Sequence, residues 1–354
     1  MDILSDITKQ REELAELDRE IVKLVGRRNK IARVIGERKA ASGEEVFVPA
    51  VEKIVVHRYV DSGKIYGVSE LAATRIARAV IDESVDVQGR VPRPAVPRKI
   101  FIIGGNGNMG RWLSLFFTER GHTVMIDDHA PNGAEYPVTD IPTGCRDADV
   151  IVVSTPITVA EKILEEVFAQ KTHALIFDIL SVKTPVIPLL RRAAEEGVRV
   201  CSVHPMFGPG ASSIAGRNIV VCDCGNLNAV KETAQLFSGG TILRMDVEEH
   251  DRIAACVLGL SHAVNLAFSG ALARSGFSYE ELCSAASTTF RKQIAVSREV
   301  SEENAALYYA IQRENPCNEA ALENLSEALR ELRTLGKEEF ILKMHEGARW
   351  YETK

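Results

Sequence analysis

The chain has 354 residues, 45% apolar and 26% charged, a balance expected of a globular protein too long for one ordinary core. Its 43 basic and 49 acidic side chains leave a net charge of -6, which argues against nucleic acid or an anionic membrane as a partner. No apolar run of spanning length stands out, the charged N-terminus reads as no leader, and the seven cysteines form no C-x-x-C pair, so a cytoplasmic protein without a metal site is expected.

Residues 1–90 hold no plausible β-run and read as three helices. The first, over roughly residues 5–40, has a heptad seam through Ile7, Leu14, Leu17, Ile21, Leu24, Ile31 and Ile35. Such a span predicts packing against other long helices. Arg28 falls on the same seam, where a cation is costly unless an anion meets it. Arg11 and Lys39 lie one position over, along one edge. A short middle helix opens near Pro49 and puts Glu52 on a face with Val55, Val56 and Tyr59. In the third helix Thr74, Ala77, Ile81, Ser84 and Gln88 make a seam whose last two members are polar. Two readings follow. Either the bundle has a wet end, with Arg28 snorkelling and Ser84 and Gln88 exposed, or it holds a polar pocket for a small dianion.

Pro92, Pro94 and Pro97 then mark a semi-extended linker over residues 91–98. From residue 99 the pattern changes. KIFIIG, HTVMID, ADVIVVST, ALIFDIL, VRVCSVH and RNIVVC are short apolar strands separated by helical stretches, the pattern of a mostly parallel, doubly wound sheet. The first strand runs into GGNGNMG, where Gly105, Gly107 and Gly110 make G-x-G-x-x-G before a helix. Glycines there permit a tight turn and bring a pyrophosphate close to a helix N-terminus; Asn108 and Met109 lie within the turn. Asp127, at the end of the next strand, is placed for ribose hydroxyls, and an acid there favours NAD over NADP. Three further motifs sit at strand ends: Ser154-Thr155-Pro156, Asp178 followed by Ser181, and His204 in HPMFGP, a stiff turn that holds the imidazole in place. From about Val247 the β-runs cease and the chain reads as helical to its end.

Residues 1–90 resemble the all-helical class of chorismate mutase, on Arg11 and Asp18 (R-x6-D), Arg28, Lys39, Glu52 and IDESVDVQ with Ser84 and Gln88. The resemblance implies that Arg28, and Arg11 from a partner subunit, hold substrate carboxylates. It implies that Lys39 and Gln88 face the ether oxygen, and that Ser84 and Glu52 address the ring hydroxyl and its surroundings. The family usually carries an aspartate and an arginine where this chain has Val48 and Val51. That departure keeps open a bundle that serves only dimerisation or effector binding.

Residues 99–354 resemble prephenate dehydrogenase, on GGNGNMGR, VSTPI, D-x-x-SVK, HPMFGP and E-H-D. This resemblance implies a multidomain fold, with a Rossmann-type α/β domain over 99–246 and an all-α substrate and dimerisation domain over 247–354. Together the two resemblances imply NAD as cofactor, chorismate and prephenate as the two substrates of the chain, and a homodimer. His204 would take the proton of the substrate hydroxyl as hydride leaves, and Ser181 would orient His204 or that hydroxyl. His262 would lie near the substrate, and Arg298 or Arg291 would bind a carboxylate. A β-hydroxyacid dehydrogenase is the rival enzyme reading, but the helix from Arg252 to Gly276 lacks the lysine that such enzymes carry.

Overall fold

The computed structural model describes residues 3–44, 46–91 and 96–352. Pro92 and Pro94 of the linker lie outside them. The chain divides into two compact units, one of Met1–Thr155, Glu166–Ile179 and Ala193–Arg244, the other of Pro156–Glu165, Leu180–Arg192 and Met245–Lys354.

The first unit opens with three helices, α1 (Ile3–Ser42), α2 (Pro49–Tyr66) and α3 (Glu70–Gly89). Local chemistry sets their ends. Pro49 starts α2, and Gly67 ends it in the left-handed region at φ 73°. Ser69 caps α3 by accepting the Ala72 N–H at 3.3 Å. The third helix packs against both others. Gly36 of α1 lies so close to Gln88 that an added Cβ would come within 2.9 Å of its Cα. Apart from Arg28, the expected heptad seam of α1 does not face α3. Leu17 is 54% exposed and Ile31 64%, whereas Ala32 and Gly36 are buried. A different edge of the helix therefore meets its neighbour.

Seven strands follow: β1 (Lys99–Ile103), β2 (Thr123–Asp127), β3 (Val150–Val153), β4 (Leu175–Asp178), β5 (Val200–Pro205), β6 (Asn218–Asp223) and β7 (Thr241–Asp246). Their order is β2-β1-β3-β4-β5-β6-β7. The first five are parallel and β6 runs antiparallel to β5. Six of these strands are those expected from the sequence. The seventh, TILRMD, escapes because it is mostly exposed and has no continuous apolar run. The chain leaves β1 for β2 on one side and returns to β3 on the other, so the ends of β1 and β3 flank a topological switch point. Fully buried Ile100, Ile102, Leu113, Val152, Phe177, Val203, Val221 and Phe237 form the core around the sheet.

The loop between β5 and β6 also touches α3. Ser213 Oγ donates to Asp86 at 3.0 Å, and Ser212 Oγ donates to the same carboxylate. An added Cβ on Gly89 would come within 2.7 Å of Ser213 Oγ. The helical module thus rests directly on the sheet module rather than only being tethered to it.

Helices α4 (Asn108–Glu119), α5 (Ile141–Asp147), α6 (Ile157–Ala169), α7 (Ile187–Glu195) and α8 (Leu227–Leu236) connect the strands, and the second unit contains α9 (Val247–Ala254), a π-helical segment (Ala255–Leu260), α10 (Ser261–Ala273), α11 (Tyr279–Ser284), α12 (Thr288–Glu302), α13 (Ala305–Glu314), α14 (Asn318–Leu332) and α15 (Lys337–Trp350). One expectation is corrected here. The continuous helical stretch Val247–Ala273 is long and apolar enough to cross a membrane by length and composition, with mean hydropathy 1.5 over 18 residues. The scattered polar residues His250, Asp251 and Asn265 disguised it in the sequence. All three are buried against the unit's own elements, while only 22% of the apolar window is covered.

Candidate active sites

In the N-terminal bundle Arg28, Ser84 and Gln88 come together. Arg28 is half-buried on α1, and its Nη1 donates to Ser84 Oγ and to the Val80 carbonyl on α3. One turn on, Gln88 Nε2 donates to the Ser84 carbonyl at 3.1 Å. Lys39 Nζ reaches the Val46 carbonyl at 3.0 Å, near the start of α2. Ser84 is 6% exposed, so the reading of an open wet end fails for this residue. Glu52 Oε1 and Gln88 Oε1 are buried without a hydrogen-bond partner, acceptors of the sort that a ligand satisfies. Burial, then the nearby Asp82 charge, pushes the Glu52 carboxyl above its usual range.

Arg11 does not join this group. It is exposed on α1 and lies 17 residues before Arg28, about 25 Å along the helix axis. Val48 occupies the cap position of α2 and supplies no side-chain acceptor, and Val51 is 54% exposed. Pro49 has no N–H to cap, and the Val51 N–H donates to the Val48 carbonyl at 3.0 Å, so the helix starts without a side-chain cap.

The glycine-rich turn sits at the switch point, between β1 and α4 (Asn108–Glu119). Gly104 has φ 82°, and an added Cβ would strike the Ser154 backbone at the end of β3. A Cβ on Gly110 would come within 2.7 Å of Gly105 Cα, and one on Gly105 would strike Ile126 of β2. Gly107 caps α4 and has only the Gly104 carbonyl near its missing Cβ, at 3.3 Å, so this side of the turn stays open. Asn108, Met109 and Gly110 form the first turn of α4, whose N–H groups point to that opening.

Asp127 ends β2, where its carbonyl accepts the Gly104 N–H at 2.8 Å and the Gly105 N–H at 3.1 Å. Burial first, then the charges of Asp128, Glu166 and Asp140, raises its carboxyl above the usual range. So many carboxylates oppose an extra phosphate on a ribose. Sequence reasoning overlooked Asp128. Its Oδ2 accepts the Asn106 N–H at 2.9 Å and so braces the turn. The doubled acid of VMIDD was the available signal. Arg111 is committed to Asn106, with Nη2 2.7 Å from Asn106 Oδ1.

Ser154 and Thr155 follow β3 at the same crevice, and Thr155 Oγ1 is buried with no hydrogen-bond partner. That orphaned hydroxyl, the open glycine turn and the acidic strand end fit a dinucleotide. Pro156 begins the first stretch of the second unit. His204 lies on β5, 5% exposed and paired in register with Val220 of β6. Since Val153 pairs with Asp178 and Asp178 with Ser202, His204 reaches the same sheet edge two strands from Ser154. At about 4.8 Å per strand this is about 10 Å across the sheet.

The remaining candidates belong to the second unit. Ser181 is half-buried in the irregular loop that follows Asp178, the last residue of β4. His262 opens α10 and stacks on Tyr308 at 4.1 Å, with Nδ1 buried and without a hydrogen-bond partner. Burial lowers its pKa, which keeps the imidazole neutral near pH 7. Arg291 and Arg298 both lie exposed on α12. Arg291 Nη2 donates to the Cys283 carbonyl at 3.3 Å, and Arg298 Nε meets Glu302 at 2.7 Å. Only Arg298 of the two lines a cavity of about 510 Å³ shared with Leu272, Phe277, Tyr279 and Ile294.

Three family models match the chain. Residues 10–89 match chorismate mutase type II, 123–232 the nucleotide-binding domain of prephenate dehydrogenase, and 246–346 its dimerization domain. The glycine turn precedes the second match, so its reading rests on geometry. The T-protein of Enterobacter agglomerans is 24% identical over 99% of this chain and 94% of its own length. In fold, the chain is similar to a putative prephenate dehydrogenase from Corynebacterium glutamicum, with TM-score 0.60 and 22% identity over 73% of this chain and 89% of that one. It is also similar to prephenate dehydrogenase from Aquifex aeolicus in complex with hydroxyphenyl propionate and NAD+. There the TM-score is 0.59 and the identity 18%, over 73% of this chain and 98% of that one.

Proposed function

We propose that this chain, which belongs to the family joining a type II chorismate mutase to a prephenate dehydrogenase, catalyses two consecutive steps of tyrosine biosynthesis. Residues 1–90 rearrange chorismate to prephenate, and residues 99–354 oxidise and decarboxylate prephenate to 4-hydroxyphenylpyruvate. The linker 91–98 joins them, and the second part divides near residue 246. The observation that carries the reading is the pairing of two unlike sites in one chain, a polar cluster on Arg28 and a dinucleotide turn at Gly105–Gly110.

The first reaction is unimolecular and needs no nucleophile, only a compact substrate conformer and charge at the transition state. Arg28 and Ser84 bind one end of the substrate, and Arg11 of the partner subunit closes on a carboxylate. Lys39 and Gln88 point donors at the ether oxygen as negative charge builds there. Glu52, held toward its protonated form, serves the ring side.

In the second reaction NAD supplies the hydride acceptor. Gly105, Gly107 and the first turn of α4, with Asn108, Met109 and Gly110, cradle its pyrophosphate. Asp127 takes ribose hydroxyls, and Ser154, Thr155 and Pro156 line the crevice. His204 takes the proton of the C4 hydroxyl as the C4–H pair would leave as hydride for the cofactor; the ring carboxylate then leaves as CO2, and the pair of the broken ring–carboxylate bond makes the ring aromatic. Ser181 orients His204 or that hydroxyl, neutral His262 contacts the substrate, and Arg298 or Arg291 holds a carboxylate.

Two uncovered apolar surfaces, the α1 seam and the stretch Val247–Ala273, support a homodimer. The cysteine usage and mild charge support a cytoplasmic location. Val48 and Val51 favour a second reading, a dehydrogenase whose bundle only dimerises or binds an effector. Incubation with chorismate alone, then with chorismate plus NAD, separates the two. Prephenate in the first assay and 4-hydroxyphenylpyruvate in the second are expected. Turnover of added prephenate but not of chorismate would select the second reading.

A further inference from the structure

Among the described residues the strand pairing of β4 ends at Asp178, and the loop that carries Ser181 is instead fixed on both sides. On one side Lys183 is fully buried and its Nζ donates to the Leu180 carbonyl at 2.6 Å, closing the segment around Ser181 and Val182. On the other side stands Asp251 of α9, 2% exposed. Its Oδ1 accepts the Lys183 N–H at 2.9 Å, and its Oδ2 accepts the Thr184 N–H at 2.7 Å and the Thr184 hydroxyl at 2.6 Å.

Asp251 is itself held in place. His250 Nδ1 lies 2.7 Å from Oδ1, and Asn315 Nδ2 donates to the Asp251 carbonyl at 2.8 Å. Burial alone would raise the Asp251 carboxyl, but the bonds from His250, Thr184 and the two backbone N–H groups outweigh it and hold it below its usual range. Charge-assisted bonds to an ionised acceptor are about twice as strong as neutral ones. Two backbone donors that would otherwise be orphaned in an irregular loop thus end on one carboxylate.

We propose that Asp251 is a positioning residue for the dehydrogenase reaction, which sets the Ser181 hydroxyl by anchoring the backbone of residues 183 and 184 from α9. The proposal rests on the reading that Ser181 orients the reacting groups. It assigns Asp251 no contact with substrate or cofactor. A polar group must sit within about 0.5 Å of its productive place, and a misplacement of about 1 Å can cost about 10²-fold. The anchor therefore acts on turnover, and NAD affinity stays with the glycine turn.

The test is a double-mutant cycle on the full-length enzyme with prephenate and NAD. Asp251→Asn removes the charge at constant shape and is expected to lower kcat by about 10–100-fold, with NAD affinity unchanged. In a Ser181→Ala background the same substitution is expected to cost nothing further, because the hydroxyl that it positions is gone. Thr184→Val, which deletes one donor and keeps the volume, repeats the cycle with a smaller loss and serves where Asp251→Asn does not fold. Losses that multiply in the double variant would overturn the anchor while leaving the reading of Ser181 intact. A Ser181→Ala enzyme at parental turnover would instead remove that reading, and a slow Asp251→Asn enzyme beside it would overturn the anchor separately. Parental kcat in both Asp251→Asn and Thr184→Val would also overturn it.

Discussion

Arg28 is a cation on a helix face that is otherwise apolar, and its partners decide between two explanations for it. A structural arginine in such a place pairs with an internal carboxylate, and losing one partner of a buried pair costs about 3–5 kcal/mol. Here the acceptors are a hydroxyl and a backbone carbonyl, both neutral, so the positive charge is left for an anion. Arg28→Ala should therefore abolish chorismate rearrangement, by at least about 10²-fold, as loss of an electrostatic donor does. The melting temperature of the full chain should stay near that of the parent. Chorismate consumption followed beside thermal unfolding checks both. A destabilised variant that rearranges chorismate at the parental rate would show a structural arginine. Residues 28, 39, 52, 84 and 88 were legible as candidates because each breaks an apolar helical pattern. Asp128 was not, since an acid after a strand breaks no pattern, and Asp251 stood out only as a member of the E-H-D motif, with no role attached to it.

Among the elements, the β1-turn-α4 unit is the most fully determined by local sequence. Its glycines answer to separate neighbours: Gly104 to the Ser154 backbone, Gly105 to Ile126, Gly110 to the turn itself. Gly110→Ala would force the helix away from the turn. Overpacking of this kind costs about 1–3 kcal/mol, and at about 1.4 kcal/mol per tenfold the Kd for NAD should rise by about tenfold or more. Titration of NAD by protein fluorescence measures this directly, and an unchanged Kd would remove the turn from the cofactor site. The long apolar helix near residue 260 shows the opposite case. Its π segment is held by Gln312, whose Nε2 donates to the Gly259 carbonyl at 2.8 Å, and by the packing of Asn318 against Gly259. A segment of this type shifts the facing of all that follows, His262 included, and no helical periodicity reveals it.

At the scale of the whole molecule, the proposed first site needs a second chain. Arg11 lies about 25 Å along α1 from Arg28, while the α1 seam remains exposed and ready for a second long helix. On the proposed reading, each site of a two-fold dimer would take Arg28 from one subunit and Arg11 from the other. Arg11→Ala and Arg28→Ala homodimers should each be inactive in rearrangement. Their mixed dimer should keep one native site, and random reassembly should restore about a quarter of the parental activity. The measurement is chorismate turnover after the two variants are dissociated and mixed. Absence of any recovery, with exchange verified by differently tagged subunits, would place Arg11 outside the site.

The sequence by itself determined the kinds of module in this chain, because their signals are local. A heptad seam, a proline run, apolar strands and spaced glycines each act through neighbours a few residues away. It also marked His204, which a stiff turn holds at a strand end. Tertiary structure alone decided which residues support those groups and which face of α1 stays uncovered. Asp251 meets Lys183 across 68 residues of chain, and Ser213 meets Asp86 across 127. Contacts of that span follow from how helices and sheet pack together, and no periodicity within a single segment encodes them.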